Sequence, residues 1–170
     1  MSVQDVDSKE MSEAPDNQLM DRVRRLFGDV PLGRQVAALP WRAVAAGAEI
    51  MMVTSRDTGR WVLPKGWVEK GEKLWRAAER EAHEEAGVRG DISHEPAGRY
   101  FYAKVQKIGR AKPCEVIVYP LTITGLDDDW KEKGKRERRW FAPEEAAGLV
   151  DEEDLAELIR RFGQDPARAA

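Results

Sequence analysis

Between Gly66 and Val88 the chain reads GWVEKGEKLWRAAEREAHEEAGV, and this stretch constrains the rest more than any other. Pro64, Gly66 and Gly71 argue for a loop without regular structure up to Glu72. From Lys73 the composition turns to Leu, Ala, Arg and Glu with no breaker before Gly87, which predicts a helix that stops there. At about 100° per residue, Glu81, Glu84 and Glu85 share roughly one third of the helix circumference, on the side that carries Leu74, Ala77 and Ala78 earlier. A face that begins small and apolar therefore ends acidic. In a partly enclosed site, two carboxylates about 4 Å apart repel by about 4 kcal/mol at an effective dielectric of ~20. Arg80 relieves part of that, and a divalent cation relieves far more. All-oxygen ligands select Mg²⁺ or Mn²⁺ over zinc. An isolated Glu-Glu pair would ordinarily be only a solvated face, so the weight rests on the whole pattern.

The spacing of Gly66, Glu72, Arg80, Glu81, Glu84, Glu85 and Gly87 resembles the Nudix box, the signature of the Nudix hydrolase superfamily, at every fixed position. At background frequencies near ~7% per residue, such a coincidence arises on the order of once in 10⁸ registers. Ala82 stands where the family usually carries a larger aliphatic residue, which bears on helix packing rather than on metal binding. The resemblance implies an α/β fold, an α/β/α sandwich around a mixed β-sheet in a single domain. It implies attack of water on a phosphoanhydride with Mg²⁺ or Mn²⁺ as cofactor. Glu81, Glu84 and Glu85 are the implied metal ligands, joined by the carbonyl of Gly66, with Arg80 orienting the glutamates. The catalytic set is then Glu84, Glu81 and Arg80. Glu84 is the choice for general base within the box, and Glu69 and Glu115 are the candidates outside it.

At 170 residues the chain has room for one domain with a real core and hardly for two. Residues 1–17 are polar and acidic and read as a disordered tail, 18–163 as the domain and 164–170 as a C-terminal tail. The single cysteine, Cys114, excludes an internal disulfide and fits a reducing compartment; its place beside a β-rich run makes it a core residue. No apolar run approaches the ~18 residues of a membrane span, and the N-terminus lacks a secretory pattern, so a cytoplasmic protein without a membrane partner is expected. The net charge of −3 argues neither for nor against an anionic substrate. No specific nucleic-acid partner is expected, and a monomer is favoured over an oligomer.

In chain order, Asn17 is placed to cap a short helix with Leu19, Met20, Val23, Leu26 and Phe27 on one side and Arg22, Arg24 and Arg25 on the other. Residues 35–46 and 49–54 read as strands, and 61–63 as a third. Arg89-Gly90 reads as a turn. Residues 96–105 and 115–124 form a predicted hairpin, joined by a basic segment with Lys104, Lys107, Arg110 and Lys112. Trp140-Phe141 opens a last short strand and Pro143 to Leu149 a short helix. Asp151 is placed to cap the final helix, whose buried stripe is Leu155, Leu158, Ile159 and Phe162.

Beyond the box, Trp41-Arg42, Ser55-Arg56, Gly59-Arg60-Trp61 and Leu63-Pro64-Lys65-Gly66 look like the diphosphoinositol polyphosphate phosphohydrolase branch of the superfamily. So does the run from Asp128-Asp129-Trp130 to Lys135-Arg136-Glu137-Arg138-Arg139-Trp140-Phe141. The resemblance implies a polyphosphorylated small-molecule substrate, a diphosphoinositol or diadenosine polyphosphate. Its contacts are expected from Arg42, Ser55, Arg56, Arg60 and Lys65, and from Arg138 among the basic residues Arg136, Arg138 and Arg139. Arginine forks suit phosphate oxygens, and Lys65 adds a compact charge. Three positions depart from the branch. Gln35 replaces a basic residue, and Lys65 and Trp67 replace the first and third glycines of its Pro-Gly-Gly loop. An ADP-ribose or nucleotide-sugar pyrophosphatase is the alternative. A non-catalytic ligand sensor is the remote one, since such domains usually lose box carboxylates and this chain keeps them all.

Overall fold

The strand Gly33–Val44 (β1) explains the architecture, because its Val36, Ala37, Ala38 and Leu39 are all fully buried. A strand with no polar face must be covered on both sides. The computed structural model describes residues 33–105 and 111–169, with Arg25 standing alone before them as a helical, exposed residue. The expected N-terminal tail and the rest of the Asn17 helix lie outside the described residues, as do Lys107 and Arg110 at the hairpin tip.

β1 pairs antiparallel with Gly47–Thr54 (β2) and parallel with the long strand Ala111–Leu126 (β7). The sheet order is β3-β2-β1-β7-β5, where β3 is Trp61–Val62 and β5 is Val88–Ile92. Three further strands join this path: Lys65–Trp67 (β4) on β1, Gly98–Val105 (β6) on β7, and Arg138–Phe141 (β8) on β2. The sheet is therefore mixed, as expected.

Side chains alternate across it. One face buries Ala37, Leu39, Ile50, Met52, Val116 and Val118 under two helices, Pro143–Leu149 (α2) and Glu153–Gln164 (α3). The other buries Val36, Ala38, Met51, Val53, Tyr119 and Leu121 under the helix Leu74–Ala86 (α1). This is a single-domain α/β/α sandwich. Leu155, Leu158, Ile159 and Phe162 are buried on α3, and Cys114 is a fully buried free thiol.

Four local expectations change. Lys65 to Trp67 is a strand instead of irregular loop, because β1 offers a pairing edge at Gln35, Val36 and Ala37. Arg89-Gly90 lies inside β5 at a β-bulge, and a Cβ on Gly90 would fall 2.1 Å from the carbonyl oxygen of Thr122. The glycine there allows close backbone approach, whereas the chain reverses at Gly87 (φ 62°). Glu152 rather than Asp151 occupies the N-cap of α3 without a side-chain cap, since Asp151 is held by Arg60 at 3.1 Å. Within the C-terminal tail, Pro166–Ala169 forms one further helical turn (α4).

Candidate active site

Two devices fix the start of α1 against β4. The loop before the helix folds on itself, with Glu72 N–H donating to Glu69 O at 3.0 Å and Glu69 N–H donating to the Glu72 carboxylate at 3.0 Å. Arg80 then reaches back from the helix. Its Nε and Nη2 grip both oxygens of Glu72 at 2.9 and 3.0 Å, Nη2 also donates to Trp67 O at 3.0 Å, and Nη1 donates to Glu81 at 2.7 Å. These contacts hold the Glu72 carboxyl below its ordinary range and raise the Arg80 guanidinium above its own. Arg80 thus ties Glu72, Trp67 and Glu81 together.

The glutamates divide between two environments. Glu85 is 6% exposed; Lys65 N–H donates to one of its oxygens at 3.2 Å and Arg136 Nη2 to the other at 3.1 Å. Burial nevertheless pushes its carboxyl up to about 7, with the neighbouring Glu81 adding to the effect and Arg136 opposing it. Glu81 is also raised, burial outweighing Arg80. Glu84 turns outward to Lys131 Nζ at 3.1 Å. A Cβ on Gly66 would fall 2.3 Å from the Glu81 carboxylate, so any side chain there would have to displace Glu81.

Glu81 and Glu85 open onto a cleft of about 1130 Å³. Its lining also includes Gly66, Arg80, Ser55, Arg56, Arg60, Lys65, Lys104 and Arg136. Most of these cations are already neutralised within the chain. Arg56 meets Glu132 at 3.2 Å, Arg60 meets Asp151 and Glu152 at 3.1 and 2.8 Å, and Arg136 bridges Glu132 and Glu85. Lys65 sits over the Tyr102 ring at 4.8 Å, and burial lowers the pKa of its ammonium.

A family model described as the NUDIX domain matches residues 33–162. The chain belongs to the Nudix family. Its Nudix domain is 34% identical over 119 residues to diphosphoinositol polyphosphate phosphohydrolase 3-beta of Homo sapiens, covering 69% of this chain and 68% of that one. It is 33% identical over 117 residues to Nudix hydrolase 12, mitochondrial, of Arabidopsis thaliana, covering 67% of this chain but only 58% of that relative's length. Among solved structures, the Ap4A hydrolase of C. elegans superposes with a TM-score of 0.58 at 22% identity, over 81% of this chain and all (100%) of that one.

The donor chemistry of the Nudix box suits a divalent ion. Glu81 and Glu85 face one cleft with Gly66 and raise each other's energy when both are charged, which a cation would relieve. The donors are all oxygen, as Mg²⁺ or Mn²⁺ requires. Among the described residues no three His, Cys, Asp or Glu side chains are grouped as ligands for one ion. Glu81, Glu84 and Glu85 pair with Arg80, Lys131 and Arg136, and Arg80 also stands 3.9 Å from Glu84.

Of the expected site residues, the cleft gathers Gly66, Arg80, Glu81, Glu85, Ser55, Arg56, Arg60 and Lys65. Four others lie outside its lining: Glu84, turned to Lys131, and the three that follow. Arg42 is outside the cleft lining, paired with Glu49 across the β1–β2 ladder at 2.6 Å and stacked over Trp140 at 3.9 Å. Arg138 is spent on the carbonyls of Ala86 and Asp127 at 2.7 and 3.0 Å, and Arg136 holds the place in the cleft. Glu115, a candidate base, is 5% exposed and bound by Arg34 at 3.2 Å and Arg99 at 2.7 Å, away from the cleft lining. Gln35 and Tyr102 were not anticipated as lining residues; Tyr102 donates to the 2%-exposed Gln35 at 2.5 Å. The polar Gln35 directly before the buried run Val36 to Leu39 was the available signal.

Proposed function

We propose that the protein is a Mg²⁺- or Mn²⁺-dependent hydrolase of phosphoanhydrides in polyphosphorylated small molecules, diphosphoinositol or diadenosine polyphosphates. The observation that carries this reading is one cleft in which Glu81, Glu85 and Gly66 stand beside Lys65, Arg136, Arg56, Arg60 and Lys104. Carboxylates suited to an ion and cations suited to phosphate occupy the same space. Relatives named diphosphoinositol polyphosphate phosphohydrolase and Ap4A hydrolase support it.

Glu81 and Glu85 with the Gly66 carbonyl would hold the ion, and Glu84 would join on leaving Lys131. When bound, the ion supplies electrophilic activation and neutralises charge on the leaving phosphate. Arg80 holds Glu81 in place. Lys65 and Arg136 bind substrate phosphate beside the reacting bond, and Arg56 and Arg60 bind phosphates farther out once they part from Glu132, Asp151 and Glu152. Of the carboxylates weighed for taking the proton from water, Glu69 lines the cleft and Glu84 lies on the box helix.

The pyrophosphatase reading has one feature in its favour, the exposed Trp67 at the cleft, which a base could stack on. Lys104 and Lys112 stand over that ring at 5.0 and 5.8 Å, which suits phosphate better than a base. The test is a substrate panel at fixed free Mg²⁺ near ~0.15 M salt. kcat/KM for inositol pyrophosphate or a long dinucleoside polyphosphate should exceed that for ADP-ribose by at least about tenfold, or ~1.4 kcal/mol. Arg56→Glu should erase much of the preference. A better rate on ADP-ribose, or equal weakening on both substrates, would defeat the polyphosphate reading.

A further inference from the structure

A helix ends with carbonyls that have no partner inside it. In α1, Gly87 N–H turns back onto the carbonyls of Ala82 and His83. The next four carbonyls accept from a single segment some 45 residues further along (a separation of 45 for Trp130 and Glu85). Glu132 N–H donates to Glu84 O at 3.0 Å and Trp130 Nε1–H to Glu85 O at 3.2 Å. Arg138 Nη1–H donates to Ala86 O at 2.7 Å and Asp127 N–H to Gly87 O at 2.8 Å.

The donors are themselves braced. Arg138 stacks on the Trp130 ring at 4.0 Å and donates to Asp127 O at 3.0 Å. A Cβ on Gly87 would stand 2.9 Å from both the Trp130 ring and Arg138 Nη1, so the final box glycine is also a contact surface. We infer that Trp130 and Arg138 are positioning residues. Through the carbonyl end of α1 they set where Glu84 and Glu85 point, and so how well the chain holds a divalent ion; this rests on the metal reading given above. Arg80 braces the other end of the box, and neither Trp130 nor Arg138 lines the cleft.

Trp130→Phe removes one N–H while keeping a ring against Arg138 and Gly87, and Trp130→Leu removes the ring as well. Mn²⁺ binding is titrated by electron paramagnetic resonance on the full chain, with Glu85→Gln and the core variant Leu158→Ala as comparisons. Amide exchange of residues 84–87 is followed in the metal-free protein. The expected result is a Mn²⁺ dissociation constant raised roughly tenfold in Trp130→Leu and less in Trp130→Phe, as for lost supports of metal ligands generally. Exchange at 84–87 should quicken in the same order. Leu158→Ala should leave both near wild type. Wild-type Mn²⁺ affinity and exchange in both Trp130 variants would overturn the proposal. So would an equal loss of affinity in Leu158→Ala, since affinity would then merely track stability. If Glu85→Gln binds Mn²⁺ as the wild type does, the metal reading fails and carries the inference about metal grip with it. Faster exchange at 84–87 would then leave only the mechanical clamp standing.

Discussion

The helices α1 and α3 cover opposite faces of one sheet with opposite materials. α3 buries Leu155, Leu158, Ile159 and Phe162, whereas α1 buries Ala77, Ala78, Ala82, Ala86 and one carboxylate, Glu85. Large side chains fill volume and contribute transfer free energy, roughly 1.5–3 kcal/mol each when fully buried. Methyl groups contribute little but let a helix sit close. That closeness brings Glu85 within 3.2 Å of the Lys65 backbone and sets the Glu81 carboxylate where a Cβ on Gly66 would fall. One face supplies cohesion and the other supplies reach.

The contrast breaks most visibly at Leu158, which is 2% exposed. Leu158→Ala should cost about 2–5 kcal/mol in urea denaturation, with ordinary turnover per folded molecule. Selective loss of catalysis in a stable variant would show that α3 does more than pack.

The second effect comes from the charge buried on α1. Glu85 titrates near 4.5 when unfolded and at about 7 in the metal-free fold. Between these values the folded chain binds more protons than the unfolded one, so this group's contribution to stability is fully present below pH ~4.5 and is lost as pH rises through ~7. The shift corresponds to at most about 3 kcal/mol. Thermal denaturation without metal should therefore show falling stability from pH 5 to pH 8. Mg²⁺, which competes with the proton, should stabilise more at pH 8 than at pH 6. A Mg²⁺ effect equal at both pH values would separate the ion from Glu85.

Ala78→Leu gives the smallest effect and the sharpest distinction. Ala78 is fully buried, and overpacking there should cost about 1–3 kcal/mol. Unlike Leu158→Ala, it should also lower kcat, because it lifts α1 from the sheet. Unchanged kcat alongside lost stability would mean that the glutamates do not depend on the alanine seam.

Much of this division could be read in the sequence. The apolar runs of β1 and β2, the stripe of α3 and the acidic end of α1 are local patterns, and local pattern survives folding. What escaped notice depended on pairing between distant segments. Lys65 to Trp67 becomes a strand only because β1 presents an edge to it. Among Arg136, Arg138 and Arg139, the sequence offers no reason to prefer one. β8 sets its register against β2, with Arg138 opposite Val53, and this leaves Arg136 just ahead of the strand, 51 positions from its partner Glu85. Arg42 looked available until its cross-strand neighbour Glu49 was in place.

The most direct test compares wild type and Glu85→Gln in Mg²⁺-dependent hydrolysis of an inositol pyrophosphate, titrated to saturating metal. The substitution preserves size and removes the charge on which the cleft is built. kcat should fall by about two orders of magnitude or more with the fold retained, because a ligand to the activating ion is gone. Near-wild-type turnover of Glu85→Gln at saturating Mg²⁺ would contradict the assignment of α1 as the metal-bearing face.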